Sequence, residues 1–166
     1  MKLSPILAPI PAIILFAVFF FSAGPSSATS KMPAFSLPNV IDGKTIDSQE
    51  FQGKALLVTF FATWCPPCME EVPTLIKLQK EFAKDGFSVI ALSVDEQGPG
   101  VVVKLIGKQG INYPVMMADS RTIRDFGGVY GIPVSFLVNR SGNVVKKYPG
   151  EVPLSVLAKD IKNVMN

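Results

Sequence analysis

The sequence predicts an α/β domain of three layers, with helices packed on a central mixed sheet, and three observations carry that prediction. Residues 55–61 and 87–94 are unbroken apolar runs of strand length, which is how strands buried on both faces of a sheet read. Between and after them lie segments of helical period, the spacing that parallel crossovers require. Near the end, residues 134–139 and 144–148 flank Arg140-Ser141-Gly142-Asn143, a hairpin signal, and an amphipathic stretch over 153–165 follows.

Taken in order, the chain of 166 residues opens on a segment that is not part of the domain. Residues 1–28 hold one charge, Lys2, then an apolar stretch over 6–21 and a small-residue tail with Ser26 and Ala28 as a cleavage pair. This is the layout of a secretory signal peptide; the competing reading is an uncleaved N-terminal membrane anchor, which Pro9 and Pro11 shorten. Both readings export the domain. Residues 29–33 read as a linker, and 34–166 as the domain itself.

Within the domain, residues 34–38 alternate and stop at a proline, and Asp42-Gly43 turns the chain into a partner strand over 44–47, an N-terminal hairpin. Residues 48–53 make a short turn before the strand at 55–61. Met69, Val72, Ile76 and Phe82 then predict a helix from about Pro66 to Lys84, kinked at Pro73 and ended by Asp85-Gly86. After the strand at 87–94, a loop at 97–100 leads to an inserted helix over 101–109 with Val102, Leu105 and Ile106 on one face. A short strand at 113–117 and a short helix at 120–126, capped by Asp119 or Ser120, complete the middle of the chain. In the last helix Leu154, Leu157 and Ile161 form the buried face.

The net charge is +3, and +2 once residues 1–28 are set aside. Its charges are dispersed, so no nucleic-acid surface is expected. The only two cysteines are Cys65 and Cys68, and there is no histidine. A zinc site wants about four ligands, and Met69 stands where a haem-attachment motif needs histidine, so no metal and no cofactor are expected. A purely structural bridge over so short a loop would remove little unfolded-state entropy. The remaining reading is a redox-active disulfide. Cys65 falls at the start of a helix, where unpaired N–H groups and the dipole favour a thiolate, the attacking species in disulfide exchange. Helical geometry puts Cys65 at the exposed lip as nucleophile and turns Cys68 inward as resolving thiol. Pro66 and Pro67 donate no N–H, which leaves the thiolate less stabilised and the pair more reducing.

The run Trp64-Cys65-Pro66-Pro67-Cys68, followed by Met69-Glu70-Glu71-Val72-Pro73 and later by Gly131-Ile132-Pro133-Val134-Ser135-Phe136, resembles the TlpA/ResA-like branch of the thioredoxin superfamily. The resemblance covers nearly all of the chain after about Lys31. It implies a thioredoxin-like fold and thiol–disulfide oxidoreductase activity. It further implies a cis peptide at Pro133, facing the cysteines, with the Ile132 backbone offered to an extended peptide. Glu71 stands where the branch carries a glutamate. Thr59, six residues before Cys65, stands where thioredoxin has a buried aspartate, so a carboxylate at Glu71, with Glu70 the less favoured neighbour, is the remaining proton route. Trp64 reads as a shield for the thiolate and part of a docking surface.

Protein disulfides, with apocytochrome c as the client the resemblance implies, and a membrane electron donor are the expected partners; membrane contact is expected only through an uncleaved N-terminal segment. Two other functions share the fold. A peroxiredoxin would need a threonine where Ala62 stands, and a non-catalytic binding module would not need the cysteines.

Overall fold

A computed structural model describes residues 30–165. The signal or anchor over residues 1–28 therefore lies outside the described residues. The strands are β1 (Ser30–Lys31), β2 (Ser36–Pro38), β3 (Thr45–Asp47), β4 (Ala55–Phe61), β5 (Phe87–Ser93), β6 (Val115–Met117), β7 (Val134–Val138) and β8 (Asn143–Pro149). The helices are α1 (Pro66–Phe82), α2 (Pro99–Gln109), α3 (Ser120–Asp125) and α4 (Leu154–Met165). Among the described residues no helix is long and apolar enough to cross a membrane.

Six strands form the central sheet in the order β1-β8-β7-β4-β5-β6, while β2 and β3 make a separate hairpin. β4, β5 and β6 run parallel, and β7 joins β4 antiparallel, so the sheet is mixed as expected. β4 and β5 are buried at every residue, which is why both read as continuous apolar runs. One face of the sheet packs Leu57, Phe61, Val89 and Leu137 against Leu75 and Leu78 of α1, Val102 of α2 and Leu157 and Ile161 of α4. The other face packs Leu56, Val58, Phe60 and Ile90 under Phe35 and Leu37 of the hairpin and Phe126 at the end of α3. Truncating a fully buried leucine such as Leu57, Leu78 or Leu157 costs about 2–5 kcal/mol.

Two connections position the site. Phe126 sits edge-on to Phe60 at 5.2 Å and to Phe136 at 5.1 Å, fixing where the loop over 127–133 leaves α3. That loop ends at Pro133, whose carbonyl accepts from the Gly150 N–H at 2.8 Å. Asp160 of α4 accepts from Lys146 Nζ at 2.6 Å and from Tyr148 O–H at 2.7 Å, which ties the last helix to β8.

The linker expected at 29–33 is corrected. Ser30 and Lys31 pair antiparallel with Val144 and Asn143 as an edge strand, and Met32 N–H continues the pairing to Gly142 O at 2.9 Å. α2 starts two residues earlier than its apolar stripe, because Pro99 is a favourable first helical residue behind Gly98. α1 ends at Phe82, and a single 3-10 turn over Ala83–Asp85 carries the chain to Gly86.

Candidate active site

β4 delivers the chain to the site and α1 takes it away. Between them residues 62–65 make a tight turn, closed by Cys65 N–H to Ala62 O at 3.2 Å. Cys65 is the N-cap of α1 in extended backbone, and Pro66 and Pro67 occupy its first turn. Since prolines carry no N–H, the first helical amide that can point at Cys65 is that of Cys68, which donates to Cys65 Sγ at 3.3 Å. The two cysteines form a disulfide with their Cα atoms 5.3 Å apart.

The expected exposure of Cys65 is corrected: it is 4% exposed, almost as buried as Cys68. Helical geometry alone places the N-cap at a lip, but the loop over 127–133 folds over it. Cys65 Sγ lies 3.7 Å from the Ile132 carbonyl oxygen, and the Ile132–Pro133 peptide is cis. Trp64, next to Cys65, is 63% exposed and Pro66 and Pro67 are exposed, so the surface over the disulfide is built by its neighbours.

Glu71 follows Cys68 by one turn of α1. Its side chain is 1% exposed, and Oε1 accepts from the Val152 N–H at 3.3 Å. Burial pushes its carboxyl up from an ordinary 4.5 to about 7; the Val152 hydrogen bond works against that rise and the charge of Glu151 adds to it. Glu70, by contrast, is exposed. Glu71 and Cys68 line one small interior cavity together with Thr59, Ala91 and Tyr113. The Thr59 hydroxyl and that of Ser135, its partner across β4 and β7, are buried without a hydrogen bond to another group among the described residues.

Two aromatic residues of this region carry no motif in the sequence. Tyr113 is buried beside Glu71; burial first, and the Glu71 charge second, hold its phenol above the usual range. Its only sequence signal is a tyrosine where a strand-start residue would be purely apolar. Tyr130 is 97% exposed, and it lines, with Ile132, Pro133 and Lys147, a groove of about 310 Å³ beside the cis peptide. A Cβ on Gly128, whose φ is +79°, would stand 2.8 Å from the Tyr130 ring, so glycine there lets the ring lie over the loop. An aromatic residue set among Gly127, Gly128 and Gly131 just before Ile132-Pro133 is the signal that could have found it. A larger cavity, about 450 Å³, lies near Lys31, Gln49 and Arg140 and shares no residue with this region.

A cysteine pair joined at a helix N-terminus against a cis-proline loop, on a thioredoxin-like sheet, defines the class of the protein as a thiol–disulfide oxidoreductase. The Redoxin family model matches residues 27–164, so the chain belongs to the Redoxin family, in its ResA-like branch. It is 32% identical over 131 residues to the thiol-disulfide oxidoreductase ResA of Bacillus subtilis (strain 168), covering 79% of this chain and 72% of that protein. A ResA of Bacillus anthracis is 29% identical over 90% of this chain and 86% of its own length. Among solved structures, a thioredoxin-family thiol:disulfide interchange protein from Chlorobium tepidum TLS superposes with a TM-score of 0.78 at 39% identity, over 83% of this chain and 97% of that one.

Proposed function

We propose that the protein works outside the cytoplasm as a reductant of protein disulfides, with Cys65 attacking, Cys68 resolving and Glu71 moving the proton. The observation that carries this reading is the buried Glu71 carboxyl, titrating near neutrality one turn from Cys68 and lining a cavity with it. A carboxyl with a pKa near the working pH both accepts and returns a proton.

In the reduced protein, Cys65 thiolate attacks a substrate sulfur; a mixed disulfide forms and one substrate thiolate leaves. Cys68 then gives its proton to the Glu71 carboxylate and attacks Cys65 Sγ. The Cys65–Cys68 disulfide closes, the second substrate thiolate leaves, and protons from Glu71 and solvent neutralise the products. Two electrons have passed from protein to substrate. The reductive direction is supported by the helix start: with Pro66 and Pro67 in the first turn, Cys65 Sγ receives one close amide, from Cys68, and a less stabilised thiolate gives up its electrons more readily. The Ile132 carbonyl beside Cys65 and the exposed Trp64 and Tyr130 are where an extended polypeptide would pair and pack.

Export is supported by Lys2 and the apolar run over 6–21, as signal peptide or as anchor. Cytochrome c maturation is the pathway we infer: the client is an apocytochrome c whose haem-binding cysteines must be kept reduced, and a membrane donor returns electrons to Cys65–Cys68. Reduced Cys68→Ser protein tests the assignment, because without the resolving thiol the mixed disulfide accumulates. Trapped partners should be joined through Cys65 and include a protein with the haem-attachment motif. Substrate exchange that survives Cys65→Ser would overturn the roles, and a trap filled only with proteins lacking that motif would overturn the client.

A further inference from the structure

The turn that carries the disulfide is held by a second buried carboxylate, whose setting differs from that of Glu71. Asp95 follows β5 by two residues and is 4% exposed. Its carboxylate accepts from the Thr63 N–H at 3.0 and 3.2 Å, from the Thr63 hydroxyl at 2.6 Å and from the Ser93 hydroxyl at 2.7 Å. The Asp95 N–H returns a bond to Ser93 Oγ at 3.1 Å. Thr63 is the second residue of the tight turn over 62–65, the one that ends on Cys65 and holds Trp64 out in solvent.

We propose that Asp95 is a positioning residue for disulfide exchange: by clamping both donors of Thr63 it fixes the turn that aims Cys65 Sγ and the Trp64 ring at the partner disulfide. The geometry gives the clamp a purpose that stability alone does not. α1 already holds the turn from one side, through the Cys68 N–H to Cys65 Sγ and the Met69 N–H to Cys65 O at 3.1 Å. Beyond the ladder bond from Val94 N–H to Phe61 O at 2.9 Å, β5 reaches the turn through Asp95. Attack on a disulfide needs the incoming sulfur in line with the bond that breaks, so a turn free to rock loses productive encounters without losing the fold. Aspartate suits the task because its oxygens only accept. An asparagine at 95 would turn its amide toward one of three donors, and the Thr63 N–H cannot rotate away.

The inference rests on Cys65 being the attacking thiol, and the experiment separates the two. Thr63→Val keeps shape and the backbone bond while removing one clamp donor; Thr63→Ser keeps the hydroxyl; Asp95→Asn disturbs both. Trp64 is the only tryptophan in the chain, so its fluorescence anisotropy decay reports the turn directly. In the full-length reduced protein, reduction of insulin disulfides should slow about tenfold or more in Thr63→Val and Asp95→Asn. Trp64 should gain fast local motion in both while far-UV circular dichroism stays unchanged, and Thr63→Ser should recover most of the rate. Folded Thr63→Val protein with wild-type rate, or with unchanged Trp64 motion, would overturn the proposal, and this variant serves even where Asp95→Asn does not fold. Wild-type exchange by Cys65→Ser would instead overturn the reading it rests on.

Discussion

Replacing Glu71 by glutamine should change how stability depends on pH. The carboxyl's pKa is about 7 in the folded chain against 4.5 ordinarily, so its folded value is the higher one. Below pH 4.5 both states hold the proton and ionisation costs nothing. Between 4.5 and about 7 the unfolded chain releases it while the folded chain keeps it, so stability falls as pH rises, and it levels off once the folded carboxyl has ionised too. A shift of that size amounts to about 3 kcal/mol. The substituted amide can still accept from the Val152 N–H and does not titrate, so the variant lacks this loss. The measurement is urea unfolding of the oxidised protein, in which the cysteines do not titrate, from about pH 4 to 8. The stability of Glu71→Gln relative to wild type should climb by about 3 kcal/mol across that range. Asp119, lowered by the Thr122 backbone hydrogen bond, and Asp160, lowered by Lys146, act in the opposite sense, losing their stabilisation as pH falls below about 4, and they cancel in the difference. A difference that stays flat with pH would refute the buried, near-neutral carboxyl and, with it, the proton route.

Two further outcomes follow from the surface and the sequence start. Trp64→Ala and Tyr130→Ala should raise KM for a peptide disulfide by about tenfold together while leaving exchange with dithiothreitol near wild type, because each removes one aromatic contact worth about 0.5–1.5 kcal/mol from the docking face; equal losses with both substrates would place these residues in the chemistry instead. N-terminal sequencing of the exported protein should begin near Thr29 if residues 1–28 are a signal, and at Met1 in the membrane fraction if they are an anchor; a full-length cytoplasmic product would refute export.

Much of this fold was legible because its central strands are buried on both sides. Apolar runs such as 55–61 then admit few other readings, and the crossover rules order them. β1 was not legible: Ser30 and Lys31 are two exposed residues without pattern, and their partner β8 exists only once the terminal hairpin has folded. Pairing can therefore recruit a segment whose composition reads as linker. The exposure of Cys65 failed for a related reason, since a local rule sets the N-cap but a loop 67 residues away covers it. Glu71 shows the converse. The stripe of α1 that faces the sheet runs through Cys68, Glu71, Val72, Leu75, Leu78 and Phe82, whereas Met69 and Ile76 are only half-buried. Once the stripe is drawn through Cys68, a glutamate falls on its buried side at helical spacing, where only a protonated or well-paired carboxyl is tolerated.

The two buried acids near the disulfide differ in the company they keep. Asp95 is surrounded by donors on both oxygens, so moving it means breaking several hydrogen bonds at once, and such a group holds a shape. Among the described residues Glu71 has one amide donor, on Oε1; Tyr113 and the Thr59 hydroxyl line the same cavity, and the charge of Glu151 bears on it. Burial strips the charged form of water, the single Val152 amide does not make up that loss, and the Glu151 charge adds to it, so the carboxyl is lifted to about 7. A Thr59 or Tyr113 hydroxyl turned to donate to the Glu71 carboxylate would pull its pKa down and fix it in place as Asp95 is fixed. Placing a hydroxyl rather than a carboxylate at Thr59 thus has a physical consequence. It leaves a single carboxyl lining the cavity, so the proton of Glu71 is not shared there with a second acid at position 59.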